Sequence, residues 1–363
     1  SQALPTLRTT FVPRDTGTPS PCFQTTCFSW AAYDGNTLAA QGYNGSSLYI
    51  YRRLSSGPWY RHATLRNRFL TAVVNDEVLV ASGTGCSTDV LALSESRWVI
   101  KQNIPACGAY IVQDYNRVLF VDTRSFRDWL IYVRRADGVW VEESRLSPQL
   151  LVPLHEAMSI AMHGWTIAVG QPVASNELGR VHIFQRRDGE WTLAKTIVAD
   201  PAWFGGMFGW TVAVGEFDVA VSAPVLSAGP GRQGKVFVYS GFGENWFVRQ
   251  ELTEPAGAST NKIFGTAMTL KGRRLIVSAD APQVATTGPY TYLFERGVTD
   301  PDWRPRAQFA AKNGAQRPMP SIFLSGNTAM INGVATDLDP PDHAGVIPSV
   351  VNLPALIEPE VAP

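Results

Sequence analysis

The chain has 363 residues, of which 45% are hydrophobic and 17% charged, and its 31 basic side chains balance 31 acidic ones. A chain of this size can bury a large core. The zero net charge argues against a general nucleic-acid binder, because such a protein needs a basic surface to displace counterions. No apolar run reaches the roughly 18 residues that a membrane-spanning helix requires.

The amino-terminal part carries two signs of export. The chain starts SQALPTLRTT without an initiator Met, which is expected either of a mature end left by signal-peptide cleavage or of an artificial boundary. The four cysteines form two local pairs without zinc-site spacing. This pattern favours two disulfides, Cys22–Cys27 and Cys86–Cys107, and a secreted, cell-surface or periplasmic protein. The alternative is four reduced cysteines in the cytosol.

A repeated tryptophan segment runs along the chain. Its first copy is GPWYRHATL, and it recurs every 39 to 57 residues, with the tryptophans at Trp59, Trp98, Trp140, Trp191, Trp246 and Trp303. Alternating aromatic and β-branched runs such as SLYIYRR and KVFVYS precede the copies, and such alternation predicts half-buried strands. Asp137–Gly138 and Asp188–Gly189 are the strongest hairpin signals between these two strands. We expect the repeated tryptophans, with Phe208 and Phe264, to form the core between repeats.

A second pair of strands precedes each segment, in seven copies from FSWAAYDGNTLAAQG to SIFLSGNTAMINGV. Four antiparallel strands at this period predict an all-β, seven-bladed propeller. The predicted single domain covers 1–350, and a proline-rich tail covers 351–363. The predicted blades are 28–65, 66–105, 106–147, 148–200, 201–255, 256–312 and 313–350. The last blade lacks its outer strand, which residues 5–13 are expected to supply, closing the ring.

The best-preserved copies are FGW…VAVSAP, with Phe208, Gly209 and Ser222–Pro224, and FGT…IVSAD, with Phe264 and Gly265. These residues resemble the FG-GAP repeat family, the propellers found in integrin α-chain heads and in bacterial exported proteins. The resemblance implies a propeller fold and an extracellular or periplasmic setting more than an activity. Some FG-GAP blades bind calcium through an acidic loop, so calcium is the one cofactor that the resemblance raises.

Two faces of the propeller follow from the alternating strand direction within a blade a–b–c–d. We call the face with the b–c loops and the d-to-a links the loop face, and the face with the a–b and c–d turns the turn face. Long b–c loops are expected in blades 4 to 7, the last being VATDLDPPDHAG, and both cysteine pairs fall on the loop face. Because loops on a rigid scaffold concentrate binding residues, we expect a partner site here. Its candidates are Trp203, Phe204, Arg232, Lys235, Glu177 and Arg180.

Trp203 and Phe204 stand outside the repeated positions. They form either a platform for a protein or glycan or part of the packing between blades 4 and 5. Arg232 and Lys235 are expected to meet an acidic partner.

Three other motifs are weak. Gly229, Gly234 and Lys235 fit the start of a phosphate-binding loop, but Val236 replaces its Ser or Thr and a strand follows where a helix is needed. Asp337, Asp339 and Asp342 faintly resemble a calcium loop, but their spacing departs from the rule, which favours a solvated acidic turn. His155–Glu156 lacks the second His of a zincin, and His182 is expected on a strand surface.

No catalytic motif appears in the sequence, so we expect a non-enzymatic recognition or assembly module that binds a protein or glycan. One alternative is a polysaccharide hydrolase or lyase whose carboxylates, or an acid–His pair, meet at the central channel. Another is a fixed accessory subunit of a larger surface or periplasmic complex.

Overall fold

The computed structural model of the chain describes residues 4, 6–7, 28–42, 47–54, 57–82, 86–108, 110–121, 128–147, 159–173, 178–226, 234–255, 263–280, 291–309, 322–331 and 334–338. These residues form seven β-sheets around one axis, and the fold is a seven-bladed β-propeller, as predicted. The tail 351–363 lies outside the described residues, and the limits of the single domain stay a prediction.

The strands follow one another blade by blade. β1 is Thr6–Leu7. Blade 1 holds β2 (Phe28–Asp34), β3 (Thr37–Gly42), β4 (Ser47–Arg52) and β5 (Tyr60–Arg66). Blade 2 holds β6 (Phe69–Val74), β7 (Glu77–Ala81), β8 (Thr88–Ser94) and β9 (Arg97–Ile104). Blade 3 holds β10 (Tyr110–Asp114), β11 (Arg117–Val121), β12 (Trp129–Arg134) and β13 (Trp140–Leu146). Blade 4 holds β14 (Ser159–His163), β15 (Thr166–Gln171), β16 (Arg180–Arg187) and β17 (Glu190–Val198).

The remaining blades follow the same order. Blade 5 holds β18 (Val212–Val214), β19 (Asp218–Ala223), β20 (Lys235–Phe242) and β21 (Asn245–Leu252). Blade 6 holds β22 (Ile263–Lys271), β23 (Arg274–Asp280), β24 (Thr291–Glu295) and β25 (Arg304–Phe309). Blade 7 holds β26 (Ile322–Ser325), β27 (Thr328–Ile331) and β28 (Val334–Asp337), its three strands among the described residues. The first strand of each blade lies innermost and contacts the first strands of both neighbouring blades.

Tight turns join the strands because the turn residues tolerate left-handed backbone. Asn75 and Asp76 turn β6 into β7 at φ 49° and 62°, as two-residue hairpins require. The predicted hairpin at Asp188–Gly189 has the same geometry, with φ 50° and 82°.

The pairing of the fourth strand with the third is irregular in blades 1 to 6. A register shift occurs between the third and fourth strands in blades 1 to 6, for example between Ile183 and Phe184. A bulge twists an edge strand away from a flat template, which protects it from pairing with other chains.

The repeated tryptophans pack between blades, as predicted. Each lies at the start of an outer strand and joins a cluster with residues of the preceding blade. Trp140 is buried against blade 2, and Trp59 of blade 1 packs beside Met330 of blade 7. Phe208 and Phe264 are fully buried. The cores therefore continue around the ring, including the junction between the first and last blades.

Only Thr6–Leu7 of the predicted closing strand is described, and the predicted pairing of the rest with blade 7 stays a prediction. Thr6–Leu7 pairs in parallel with β25 of blade 6, through Thr6 with Gln308 and Leu7 with Phe309, and does not add to blade 7. Residues 8–13 of the predicted strand lie outside the described residues. The first and last blades are joined by side chains, since Ser325 donates to Asp34 at 2.8 Å and Arg53 donates to Asp337.

Candidate functional site

The loop face carries a disulfide between Cys86 and Cys107, whose Cα atoms are 5.1 Å apart. It ties the b–c loop of blade 2 to the link into blade 3, as the sequence predicted. Cys22 and Cys27 lie outside the described residues. The bridge closes a 21-residue separation and fixes two neighbouring connections on this face.

Trp203 and Phe204 play different parts. Asp200 caps the single 3-10 turn Pro201–Trp203, accepting a hydrogen bond from the Ala202 amide at 2.8 Å. The Trp203 ring stacks on Phe237 at 4.2 Å between ring centres. Trp203 therefore belongs to the packing between blades 4 and 5, while Phe204 is 65% exposed.

The predicted charged candidates do not form one cluster among the described residues. Lys235 pairs with Glu251 of its own blade at 2.7 Å, and a partly exposed pair of this kind contributes little to stability. The Arg180 Nε atom is buried without a hydrogen-bond partner within the described part of the chain. Glu177 and Arg232 lie outside the described residues.

His182 is buried, and the expectation of a strand-surface position is wrong. Its Nε2 lies 2.9 Å from Gln171 Oε1 and its Nδ1 lies 2.8 Å from Thr196 Oγ1. A neutral ring satisfies both contacts, donating to Gln171 and accepting from Thr196. Burial, and next the positive charge of Arg180, lower the pKa of His182 to about 4.

The glycines of SAGPGRQGKVFVYS have a packing role. Lys235 begins strand β20, so the helix that a phosphate-binding loop needs is absent from this described stretch. Gly234 has φ +65°, and an added Cβ would lie 2.3 Å from the carbonyl oxygen of Phe264 in the next blade. Gly179 meets the carbonyl of Phe208 in the same way, at 2.1 Å. These glycines let each blade approach the Phe-Gly of the next.

Asp337 forms an ion pair with Arg53. The predicted b–c loop of blade 7 is wrong, because Val334–Asp337 forms strand β28 and places Asp337 toward the turn face. Its Oδ1 accepts from Arg53 at 2.8 Å and from the Thr328 hydroxyl at 2.8 Å. Asp339 and Asp342 lie outside the described residues. No group of three or more potential metal ligands occurs in the part of the chain that the structure describes.

The turn face carries a row of exposed aromatic side chains over blades 3 to 5. Tyr115, Trp165 and Phe217 stand in the a–b turns of three consecutive blades, and Phe242 ends strand β20. They are between 40% and 66% exposed. Rigid aromatic side chains presented from neighbouring turns are typical of recognition surfaces.

Cations lie over three of these rings. The guanidinium carbons of Arg117 and Arg186 are 4.3 and 4.6 Å from the centre of the Trp165 ring. Arg187 lies 4.1 Å from the Phe242 ring, and the Lys271 ammonium lies 4.3 Å from the Tyr115 ring. Arg117 also forms two hydrogen bonds with Glu143. We call these four aromatic and four basic residues the aromatic–cation surface.

Buried polar contacts connect neighbouring blades near the turn face. The Glu77 carboxylate of blade 2 accepts from Lys101 at 2.9 Å, Arg134 at 3.0 Å and the Trp140 indole at 2.8 Å. Burial by itself would raise the pKa of Glu77, but the hydrogen bonds from Arg134, Lys101 and Trp140 outweigh it and lower the pKa. Asp218 of blade 5 pairs with Arg296 of blade 6 in the same manner.

An axial pocket of about 250 Å³ lies among the innermost strands. Apolar residues such as Met162, Val212 and Phe323 are among those that line it, but its surface is polar and apolar in about equal parts, and Asp34, Asp114, Tyr115 and Lys271 stand at the end of the strands on the turn face. Asp114 contacts His163 Nδ1 at 3.0 Å and accepts from the Gly164 amide at 2.9 Å. The pocket thus has a mixed polar and apolar body and a charged mouth.

Solved structures are similar to this chain. Hsv2 from Kluyveromyces lactis aligns over 86% of this chain and 92% of its own, with a TM-score of 0.50 and 11% identity. A protein from Lactobacillus plantarum aligns over 79% and 86% of the two chains, with a TM-score of 0.48 and 12% identity. The likeness to Hsv2, at 11% identity, shows the fold alone. No protein-family model and no curated sequence matches the chain, so the FG-GAP resemblance is not confirmed. Among the described residues, no helix has the length and apolarity of a membrane span.

The sequence prediction missed the aromatic–cation surface. The sequence does contain a signal for this surface. Hairpin turns are usually polar, and the turns of blades 3, 4 and 5 instead contain a tyrosine, a tryptophan and a phenylalanine. Their basic neighbours come from other strands and blades, and spacing along the chain does not show that they meet.

Proposed function

We propose that this chain is an exported, non-enzymatic recognition propeller that binds a protein partner through the aromatic–cation surface. The row of exposed rings under fixed cations carries the proposal. Aromatic and arginine side chains dominate the energetics of protein interfaces when they are held rigidly. The cations over Tyr115, Trp165 and Phe242 hold these rings in place, which reduces the side-chain entropy lost on binding.

The partner is a protein with an acidic surface. A sugar stacks on the open face of an aromatic ring, but the Trp165 ring already has two guanidinium groups within 4.6 Å of its centre. Within the described residues, Arg186, Arg187 and Lys271 have no carboxylate within ion-pair distance. Such cations are free to pair with carboxylates across an interface, which steers association and sets specificity.

The Cys86–Cys107 disulfide supports the exported location, since structural disulfides persist in oxidising compartments. The exposed rings of the turn face also suit the role of a subunit in a larger surface or periplasmic complex. A glycan ligand is the competing outcome of the test below.

The carboxylates at the axial pocket do not support the alternative of a polysaccharide hydrolase or lyase. Asp34 accepts from Ser325 of blade 7 and from the Asn75 amide of blade 2. Asp114 holds His163 and Gly164 of blade 4. A glycosidase needs two carboxyl groups that reach the sugar, whereas these two connect neighbouring blades.

The loop face is the competing surface, with Phe204 exposed beside the anchored Trp203 and with Lys235 and Arg180 on the same blades. Glu177 and Arg232 complete that predicted set. One variant on each face distinguishes the two surfaces, and each variant is the matched control of the other.

The experiment immobilises the wild-type chain, the Arg186→Glu/Arg187→Glu double variant and Phe204→Ala, and captures partners from the native source while the same three proteins are applied to a glycan array. We expect a defined protein that wild type and Phe204→Ala retain and the double variant loses, with retention falling as salt rises. If only Phe204→Ala failed to retain the partner, the binding site would lie on the loop face and not on the aromatic–cation surface. Glycan binding without a protein partner would overturn the partner class.

A further inference from the structure

We propose that the axial pocket binds a small amine with an apolar tail, and that Lys271 occupies the place of the ammonium group when the pocket is free. This site goes beyond the partner surface proposed above. It rests on the pocket, on the reach of Lys271 and on the charges around Tyr115.

Lys271 crosses the mouth of the pocket. It ends the innermost strand of blade 6, whereas Tyr115 lies in the a–b turn of blade 3. Three steps around the ring is the largest separation that seven blades allow, yet the Lys271 ammonium lies 4.3 Å from the Tyr115 ring centre. The side chain therefore spans the axis and places a cation over an aromatic face at the entrance.

The charge around this position is negative. Asp34 and Asp114 are acidic lining residues, and Lys271 is the one lysine or arginine that lines the pocket in the described part of the chain. Burial, followed by the negative charges of Asp114 and Glu216, raises the pKa of the Tyr115 hydroxyl. His163 also faces this group, with its ring 5.4 Å from that of Tyr115 and its Nδ1 on Asp114. An aromatic face flanked by carboxylates attracts a cation and repels an anion.

The pocket behind the mouth has room for a short alkyl chain. Ile111, Ile160, Val214 and Leu324 are among the residues that line it, together with the polar Thr71, Gln113 and Thr269. A volume of about 250 Å³ exceeds the roughly 150 Å³ of a cavity that takes up benzene, so a chain of about six carbons fits. A ligand ammonium replaces Lys271 over Tyr115 at small cost, because an exposed cation–π contact contributes only about 0.5–1 kcal/mol.

Calorimetric titration with hexylamine, 1-hexanol and hexanoate tests the charge preference directly. In Lys271→Met, where a ligand ammonium displaces no other cation, we expect hexylamine to bind about threefold more tightly than 1-hexanol, and hexanoate to bind more weakly than both. Lys271→Met removes the competing cation, and we expect it to strengthen hexylamine binding about threefold or more. Tighter binding of hexanoate than of hexylamine, or loss of hexylamine binding in Lys271→Met, would overturn the proposal.

A second pair of variants tests the location. Thr269 lines the pocket and is only partly buried, so Thr269→Phe fills the pocket, whereas Thr64→Phe adds the same ring on an exposed strand of blade 1. We expect Thr269→Phe to abolish hexylamine binding and Thr64→Phe to leave it unchanged, with both proteins folded by circular dichroism. Undiminished binding in Thr269→Phe, or no binding of any probe to the wild type at millimolar concentration, would contradict the pocket assignment.

Discussion

Arg53 in blade 1 and Asp337 in blade 7 are joined by a hydrogen bond of 2.8 Å between Nη1 and Oδ1, across 284 residues of chain. Arg53 also donates to Thr328 and lies over the Trp59 ring at 4.9 Å. Its side chain is 9% exposed and that of Asp337 is 41% exposed. The junction between the first and last blades therefore depends on one buried guanidinium group as well as on apolar packing.

Arg53→Met is expected to lower the free energy of unfolding by about 1–3 kcal/mol, less than a fully buried pair would give because Asp337 is partly exposed to solvent. Denaturant titration measures the change. Arg304→Met is the control, because Arg304 forms an exposed ion pair with Asp300 within blade 6. We expect it to leave the free energy of unfolding unchanged. Equal effects of the two substitutions would mean that Arg53 does not hold the junction.

Glu77→Gln is expected to have a lower free energy of unfolding than the wild type at neutral pH, and nearly the same free energy of unfolding at acid pH. The folded-state pKa of Glu77 lies below the ordinary 4.5, so its carboxylate stabilises the fold above pH 4.5 and the contribution disappears as pH falls through the lowered value. Unfolding free energies of both proteins at pH 7 and pH 3 test this. A gap between the variants that stays constant with pH would contradict it.

His182 makes the fold sensitive to mild acid. The unfolded chain binds a proton near pH 6.5 and the folded ring only near pH 4, so stability is complete above pH 6.5 and falls as pH drops toward 4. The loss is on the order of 3 kcal/mol. His182→Gln should remove this pH dependence, and NMR titration of the ring should give the folded pKa directly. A ring that titrates near 6.5 in the folded protein would be incompatible with its buried, neutral state.

Gly234→Ala is expected to destabilise the fold by about 2–4 kcal/mol, because the new Cβ would meet the Phe264 carbonyl and the backbone is left-handed. Gly189→Ala is the matched control, with φ +82° and no atom within 4 Å of its Cβ, and should cost only about 1 kcal/mol. Thermal unfolding of the two variants separates the steric contact from the backbone strain. Similar losses would indicate that the approach of blade 6 to Gly234 is not required.

Much of the fold was predictable because each blade repeats the same local pattern. The repeated tryptophans have the same place in six of the seven repeats, so their packing follows from the period, and the Asp188–Gly189 turn is a local signal of blade 4. Thr6–Leu7 could not be placed in this way, because its partner β25 belongs to a different blade and no local pattern selects it. Val334–Asp337 was predicted as a loop, because a four-residue strand followed by prolines shows too little alternation of apolar and polar residues to be distinguished from a loop.

The candidate site was less predictable than the fold. Loop length indicated the loop face, and there the sequence found Trp203 and Phe204 without showing that only Phe204 is exposed. Lys271 and Tyr115 are 156 positions apart in the sequence, and they meet only because the ring brings blades 3 and 6 to one axis. Contacts across the axis form only when the ring closes, and the spacing of residues within single blades does not predict them.

Hydrogen exchange of the chain with and without its captured partner tests recognition through the turn face most directly. We expect slower exchange in the a–b turns of blades 3, 4 and 5, around Tyr115, Trp165 and Phe217, and unchanged exchange around Phe204 and Cys86. Protection confined to the loop face, with these three turns unaffected, would contradict the proposed surface.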